Sequence, residues 1–410
     1  MTTLTMPFVK KQTVASPKVL KQKRIESIDL LRGIVMIIMA LDHVRDYFHR
    51  DAFLFDPTNL DRTNVILFFT RFITHYCAPV FVFLAGVSAY LYGSKRTIKQ
   101  LSWYLFSRGL WLVFAELFII VLGRTFNPTF PLVNLQVIWA IGISMMVLSG
   151  LVYMRMRYIL LVAVVLIAGH NILDNVHVPG TGAWAFFWSI LHEPKEFAYG
   201  RVDIFVQYPL LPWMGLMAFG YYLGQLYAPG YDREKRRNIL LYLGSSMLVL
   251  FFFLRCFNLY GDVAPWSIQK NYVFNLMSLI NVTKYPPSLL YILVTIGPAL
   301  ILLDLIEKPL NKLTQKISVY GRVPFFYYVV HIYLIHVFAM IAAKISGYKW
   351  SDMILKTKVY RTPELKGYGF NLLTTYLLWI GLVLLLYPMC KWFDTYKRKH
   401  QATKYWLTYL

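Results

Sequence analysis

One apolar run near the start of the chain carries an unusual set of groups able to hold or move protons. Between residues 28 and 49 stand Asp29, Arg32, Asp42, His43, Arg45, Asp46 and His49. On a helix, Arg32 and His43 fall on one face, about 16 Å apart along the axis. Asp29 lies one turn before Arg32 and can pair with it. Asp46 lies one turn after His43, placed to accept its ring N–H. That would leave the other ring nitrogen free to take a proton, as a general base requires. Asp42, Arg45 and His49 follow one another at spacings of three and four on a neighbouring face. Ionisable groups at membrane depth are costly and face a partner or a wet cavity. Arg45, His49, Arg50 and Asp51 also have a plainer reading, as charges reaching water at the outer interface. Asp42 and His43 fit that reading less well. They sit about 22 Å along the helix from Ile28, still inside a hydrocarbon core of about 30 Å.

Two further segments repeat the pattern faintly. Arg71 and His75 share a face just before the run from Ala78 to Ser88, where Pro79 and Gly86 loosen a helix or admit a close neighbour. His331 and His336 follow Tyr327 and Tyr328 in another apolar run. A pair of His in apolar surroundings is more often hydrogen-bonded packing than chemistry; the alternative is that it lines the same cavity. Metal binding is only weakly signalled, since no carboxylate stands near them in sequence, and no metal site is expected. Cys77, Cys256 and Cys390 are too far apart for a CxxC site and are assigned to packing in apolar spans.

The elements that must position these groups are membrane helices. The 410 residues are 58% hydrophobic and only 15% charged, well below the charge of a soluble domain. The 30 Tyr, 29 Phe and 11 Trp suit the two membrane–water interfaces. The apolar runs are 28–48, 65–92, 109–123, 132–154, 158–170, 204–227, 239–257, 286–305, 323–343 and 372–392. The third and fifth are short of the roughly 20 residues a crossing needs, so polar neighbours must complete them. The fold class expected is therefore all-α, a polytopic integral membrane protein of about ten transmembrane helices. The net charge of +22 lies in short basic runs between these segments, which excludes a nucleic-acid-binding domain. Lys and Arg are nearly twice as frequent in the loops on the side of the two termini, which places both termini in the cytoplasm. The segment 344–369, with six of them on the opposite side, fits the rule poorly. The polar, basic start up to Arg24 precedes a charged apolar run, so that run is read as a retained first helix. The organisation expected is a basic tail (1–27), one transmembrane domain (28–393) and a second basic tail (394–410). The longer outer segments 171–203, 258–285 and 344–369 are either caps over an outward cavity or plain solvated loops.

Several motifs carry a resemblance. Glu26-Ser-Ile-Asp-Leu-Leu-Arg-Gly33, Leu41-Asp-His-Val-Arg-Asp-Tyr-Phe-His49 and Ala78-Pro-Val-Phe-Val-Phe-Leu-Ala-Gly86 resemble the start of the heparan-alpha-glucosaminide N-acetyltransferase catalytic-domain family. They are also similar to the wider membrane acyltransferases that O-acylate cell-surface sugars. In those, an Asp-x-Leu-Arg motif precedes a His eleven residues after the Arg, as Arg32 and His43 do here. Asn134-Leu-Gln-Val-Ile-Trp139, Tyr208-Pro-Leu-Leu-Pro-Trp-Met-Gly215 and Gly321-Arg-Val-Pro-Phe-Phe-Tyr-Tyr-Val-Val-His331 look like later family segments. The chain departs from the heparan enzyme at His43, where that enzyme has Asn and carries its active His further on. His49 is therefore a rival base.

The resemblance implies transfer of an acetyl or other acyl group from cytoplasmic acetyl-CoA to a hydroxyl or amine of a sugar outside. Catalytic roles fall to His43, Asp46, His49 and Asp42. Contact with the donor falls to Arg32, Arg45, Arg71, Gln136 and His331, with Lys95, Arg96, Arg108, Arg236 and Arg322 as further phosphate-binding candidates on the inner side. A buried Arg, Gln136 or Asn134 would stabilise the oxyanion. The partners expected are lipid, acyl-CoA and a glycan or amino-sugar acceptor in a bacterial inner membrane; a homodimer is allowed and nucleic acid is not expected. The competing reading is a transporter or flippase whose intramembrane Asp, Arg and His line a substrate path. Against it, no pair of matching halves is visible.

Overall fold

The computed structural model describes residues 25–401 and 403–409, so the basic N-terminal tail lies almost wholly outside the described residues. The protein is mostly helical. In chain order the helices are α1 (Glu26–Phe48), α2 (Val65–Thr74), α3 (Cys77–Gly93), α4 (Ile98–Phe114), α5 (Val121–Thr125), α6 (Val137–Leu151), α7 (Met156–Gly169), α8 (Ala183–Leu191), α9 (Leu211–Leu223), α10 (Arg233–Cys256), α11 (Tyr272–Ile280), α12 (Leu289–Leu305), α13 (Lys312–Arg322), α14 (Pro324–Ile345) and α15 (Leu372–His400). Among the described residues, three short strands, β1 (Leu132–Leu135), β2 (Lys195–Tyr199) and β3 (Val202–Val206), form one sheet in the order β1-β3-β2.

Among the described residues, six helical stretches are long and apolar enough to cross a membrane: Val65–Gly93, Ile98–Thr125, Met156–Leu173, Arg233–Cys256, Pro324–Ile345 and Leu372–His400. Leu161 and Val165 on α7, Val249 and Phe253 on α10 and Leu377 and Leu384 on α15 point outward, an apolar surface suited to lipid tails. The two short runs of the sequence are completed as expected. The third is preceded by the polar turns of α4 and joined to α5 through a π-helical stretch, Ala115–Ile120; the fifth gains a 3-10 turn, His170–Leu173.

The apolar runs at 132–154 and 204–227 are not helical throughout. Each begins as a strand, β1 and β3, that pair in parallel with Leu132 opposite Asp203 and Leu135 opposite Val206. Both are short apolar runs of four and five residues, Leu132-Val-Asn-Leu135 and Val202-Asp-Ile-Phe-Val206, a length that suits a strand, and the helix in each starts only after the sheet. β2 returns antiparallel to β3 through a tight turn at Gly200, whose φ of +63° is a conformation open to glycine at little cost. Phe197, Val206, Leu135 and Ala185 form a small core under this sheet, separate from the main one.

α1 stands at the centre and packs on α2, α3, α12, α13, α14 and α15. Close approach at its base depends on small residues. A Cβ on Gly33 would lie 2.2 Å from the Ile317 carbonyl oxygen, and one on Gly321 would lie 1.9 Å from that of Asp29. α1 has acidic Glu26 and Asp29 in its first turn and Arg45 in its last, which complements the helix dipole. Cys77 and Cys390 are buried as expected, while Cys256 is exposed at the end of α10; all three are free thiols.

Candidate active site

Two cavities flank α1 end to end. The first, of about 430 Å³, is lined by Arg32, Met36 and Met39 of α1, with Arg108, Arg322 and Lys397 among its walls. The second, of about 560 Å³, is lined by Asp42, His43, Arg45, Asp46 and Tyr47 of the same helix. The α1 face found in the sequence thus passes from one cavity to the other between Met39 and Asp42. Tyr328 lines the first cavity, and Arg124 lines the second. They meet at the junction, where the Arg124 guanidinium lies 3.4 Å from the Tyr328 hydroxyl and 3.1 Å from His43 Nε2.

The hydrogen bonds around His43 fix its tautomer. His331 Nδ1 lies 2.9 Å from the Tyr327 carbonyl, which can only accept, so Nδ1 carries the proton. In the neutral ring His331 Nε2 is then an acceptor. It lies 2.7 Å from His43 Nδ1, which must donate. His43 Nε2 is left as a lone pair, turned toward Arg124 and the second cavity. The two rings are nearly parallel, with centroids 5.0 Å apart. This relay differs from the arrangement read from sequence. The partner of His43 is His331, 288 residues away, rather than Asp46, whose carboxylate takes Arg45 at 2.7 Å.

The other site residues separate into distinct groups. Asp42 accepts both Arg71 contacts, at 2.6 and 2.8 Å, as well as Arg45 at 2.9 Å and Thr74 Oγ1 at 3.1 Å. It is the hub of an ion-pair network on the wall of the second cavity, with its lone pairs already engaged. His49 is buried outside both cavities, its backbone bridged to Phe370, so it does not meet His43. The proposed donor contacts also divide. Arg32 lines the first cavity, bonded to the Gly321 carbonyl and Ser88 and 3.5 Å from Asp29, the pairing the sequence predicts. Arg45, Arg71 and Gln136 line the second. His331 is fully buried behind His43 and lines neither. His336 lies between the carbonyls of Gly123 and Met353. Gln136 and Asn134 both donate to the Gln207 side-chain oxygen, which ties β1 to the end of β3.

The sequence reading missed Arg124, Glu116, Lys284 and Lys358. Arg124 closes an apolar run, where a lone arginine reads as one reaching for water. Here its Nε is buried without a hydrogen-bond partner, a donor pointing at no protein acceptor. Glu116 sits in the π-helical stretch, fully buried, and accepts the Trp139 backbone N–H at 3.1 Å in the first turn of α6. Lys284 and Lys358 line the second cavity from segments 258–285 and 344–369. Lys358 lies 3.4 Å from the Phe205 ring centroid and 2.7 Å from Glu196 of β2, which Arg361 also meets at 2.8 Å. Burial pushes the Glu196 carboxyl up, but hydrogen bonds from Lys358 and Arg361 outweigh it and hold the group below its ordinary value. Segments 258–285 and 344–369 thus contribute walls of this cavity.

Residues 24–255 match the family described as heparan-alpha-glucosaminide N-acetyltransferase, catalytic. The match spans more than half of the chain and includes α1 through α10, with His43 and Arg124. The chain belongs to this family of membrane acetyltransferases. No curated protein matches the chain. Tyr328 and His331 lie beyond the matched stretch, on α14.

Proposed function

We propose that the protein is an acyl-CoA-dependent acyltransferase working across the bilayer, with its donor in the first cavity and its acceptor in the second. The observation that carries this reading is the His43 Nε2 lone pair held at the junction of the two cavities by the His331 relay. The first cavity has an apolar wall of methionines and aromatic residues and four basic side chains, Arg32, Arg108, Arg322 and Lys397. That combination suits an acyl thioester whose carrier bears phosphates. The second cavity combines Asp46, Gln207, Tyr285 and Tyr360 with arginines and lysines, which suits a sugar amine or hydroxyl.

In the proposed reaction the acceptor N–H or O–H displaces Arg124 from His43 Nε2 and gives it the proton. The freed acceptor atom bonds to the thioester carbonyl carbon, the carbon–sulfur bond breaks, and the thiolate leaves with a proton returned from His43. Arg124 and the Tyr328 hydroxyl stabilise the oxygen that becomes negative in between. Asp42 and Arg71 are positioning residues that hold Arg45 and the outer end of α1. Asp46 sets no tautomer in this scheme.

The topology that goes with this reading has ten crossings. The six long apolar stretches are joined by α6 and α12, which are shorter apolar helices, and by α1 and α9. Both termini, Arg32 and the first cavity then face the cytoplasm, and His43 faces outward.

The test is His43→Ala in purified full-length protein. Transfer from acetyl-CoA to glucosamine should fall by about 10²–10⁴-fold while acetyl-CoA binding persists. Normal transfer by this variant, with loss on His49→Ala instead, would move the base to His49. Wild-type protein that neither binds nor consumes acetyl-CoA would return the molecule to the transporter reading.

A further inference from the structure

Away from both cavities, three side chains converge where α7 ends. His170 opens the 3-10 turn that follows α7, Asp174 caps that turn, and His192 caps α8. One ligand-capable atom of each lies within 4.8 Å of the others. Both histidines are only 3% exposed. His192 Nε2 meets Asp174 Oδ1 at 3.1 Å. That contact leaves most of the cluster unexplained. Neither ring nitrogen of His170 makes a hydrogen bond, nor does His192 Nδ1. Burying the His170 nitrogens without partners costs about 1–3 kcal/mol, and an ion held with Asp174 and His192 Nε2 gives one of them a partner.

We infer that His170, Asp174 and His192 bind one divalent transition-metal ion of the zinc class. Two imidazoles and one carboxylate are a borderline donor set, which favours Zn²⁺ or Co²⁺ over Mg²⁺ or Ca²⁺. Tetrahedral bonds of about 2.0–2.1 Å place ligand atoms about 3.3 Å apart. The Asp174–His192 pair already meets that spacing, and a small side-chain rotation of His170 completes it. On binding, Nε2 of His192 exchanges its contact with Asp174 for a shared bond to the ion, and any proton on that nitrogen is released. Part of the outer shell is in place: Asp174 Oδ2 accepts from Asn171 Nδ2 at 2.8 Å.

The site is a staple. Asn171 Oδ1 also accepts the Leu289 backbone N–H at 2.9 Å, at the start of α12. The ion therefore joins the ends of α7 and α8 to the segment just after Lys284 and Tyr285, which line the second cavity. This inference is independent of the acyl-transfer reading.

The experiment uses full-length, tag-free protein stripped with chelator and titrated with Co²⁺, then Zn²⁺, with metal content measured per chain. The wild type should take one Co²⁺ with visible absorption of a low-coordinate histidine site, displaced by one Zn²⁺, and its melting temperature should rise. His170→Gln and His192→Ala should each weaken binding by about 100-fold or more, since even outer-shell partners contribute about 10–100-fold. His177→Ala, which removes an exposed histidine paired with Glu193, should bind as the wild type does. His170 makes no hydrogen bond, so its Gln variant keeps the test open if His192→Ala fails to fold. Wild-type protein that takes up no stoichiometric metal, or a folded His170→Gln that binds as tightly as wild type, would overturn the assignment.

Discussion

His331→Ala removes the acceptor of the His43 Nδ1–H without altering the lining of either cavity. In the native protein the Tyr327 carbonyl fixes His331, and His331 fixes His43, through contacts of 2.9 and 2.7 Å. Without His331, the Nδ1–H is buried with no partner, at a cost of about 1–3 kcal/mol. The ring escapes that cost by moving its proton to Nε2, and it then presents a donor to the acceptor cavity where a base is needed. At about 1.4 kcal/mol per decade, kcat should fall by about 10- to 100-fold. Acetyl-CoA affinity should not change, because His331 lines neither cavity. The measurement is release of free CoA thiol by the full-length protein in nanodiscs, with donor binding followed separately by calorimetry. His331→Gln, whose amide oxygen can accept the same N–H, should recover part of the rate. The decisive variant is the double substitution. If the two histidines act as one unit, His43→Ala/His331→Ala should be no slower than His43→Ala alone. Losses that multiply in the double variant, or a His331→Ala effect confined to donor affinity, would refute the relay.

Arg108→Ala should weaken acetyl-CoA binding by about tenfold, the lower end for a lost charge-assisted contact, and leave kcat at saturation unchanged; a drop in saturated kcat would remove Arg108 from the donor site. Arg71→Ala leaves Asp42 with Arg45 and Thr74 only, so the protein should lose about 3 kcal/mol of stability by denaturation in detergent. An unaltered transition would show that the pair is already hydrated. The Glu196 latch stabilises the fold through a depressed carboxyl. Its contribution is complete above the ordinary glutamate value of 4.5 and is lost as pH falls below it. Glu196→Gln should therefore speed tryptic cleavage after Lys358 and Arg361 at pH 7, and an unchanged cleavage rate would count against the latch. Single Cys probes at Ser94 and Asp232 should react only from the cytoplasmic side and one at Thr181 only from outside; labelling of Thr181 from the cytoplasm would invert the proposed topology.

Composition and periodicity encode the local part of this architecture. Long apolar runs specify helices because a bilayer leaves no other way to satisfy an isolated backbone segment. The 3.6-residue period put Arg32 and His43 on one face of α1, and the helix keeps that face while it passes from the first cavity to the second. The pairing of Asp29 with Arg32 was legible for the same reason, since partners three residues apart meet on any helix. Strands at the heads of two apolar runs were not legible, because β1 and β3 exist only through pairing between segments about 70 residues apart. The same limit hid the core of the site. Asp46 is the carboxylate one helical turn after His43, yet Arg45 takes it, and His43 turns to His331 across the bundle. Arg124, Tyr328 and the His170–Asp174–His192 cluster likewise come together only when separate helices pack. Local geometry fixes which residues share a face. Which face meets which, and so which nitrogen keeps its lone pair, is decided by contacts between helices far apart in the chain.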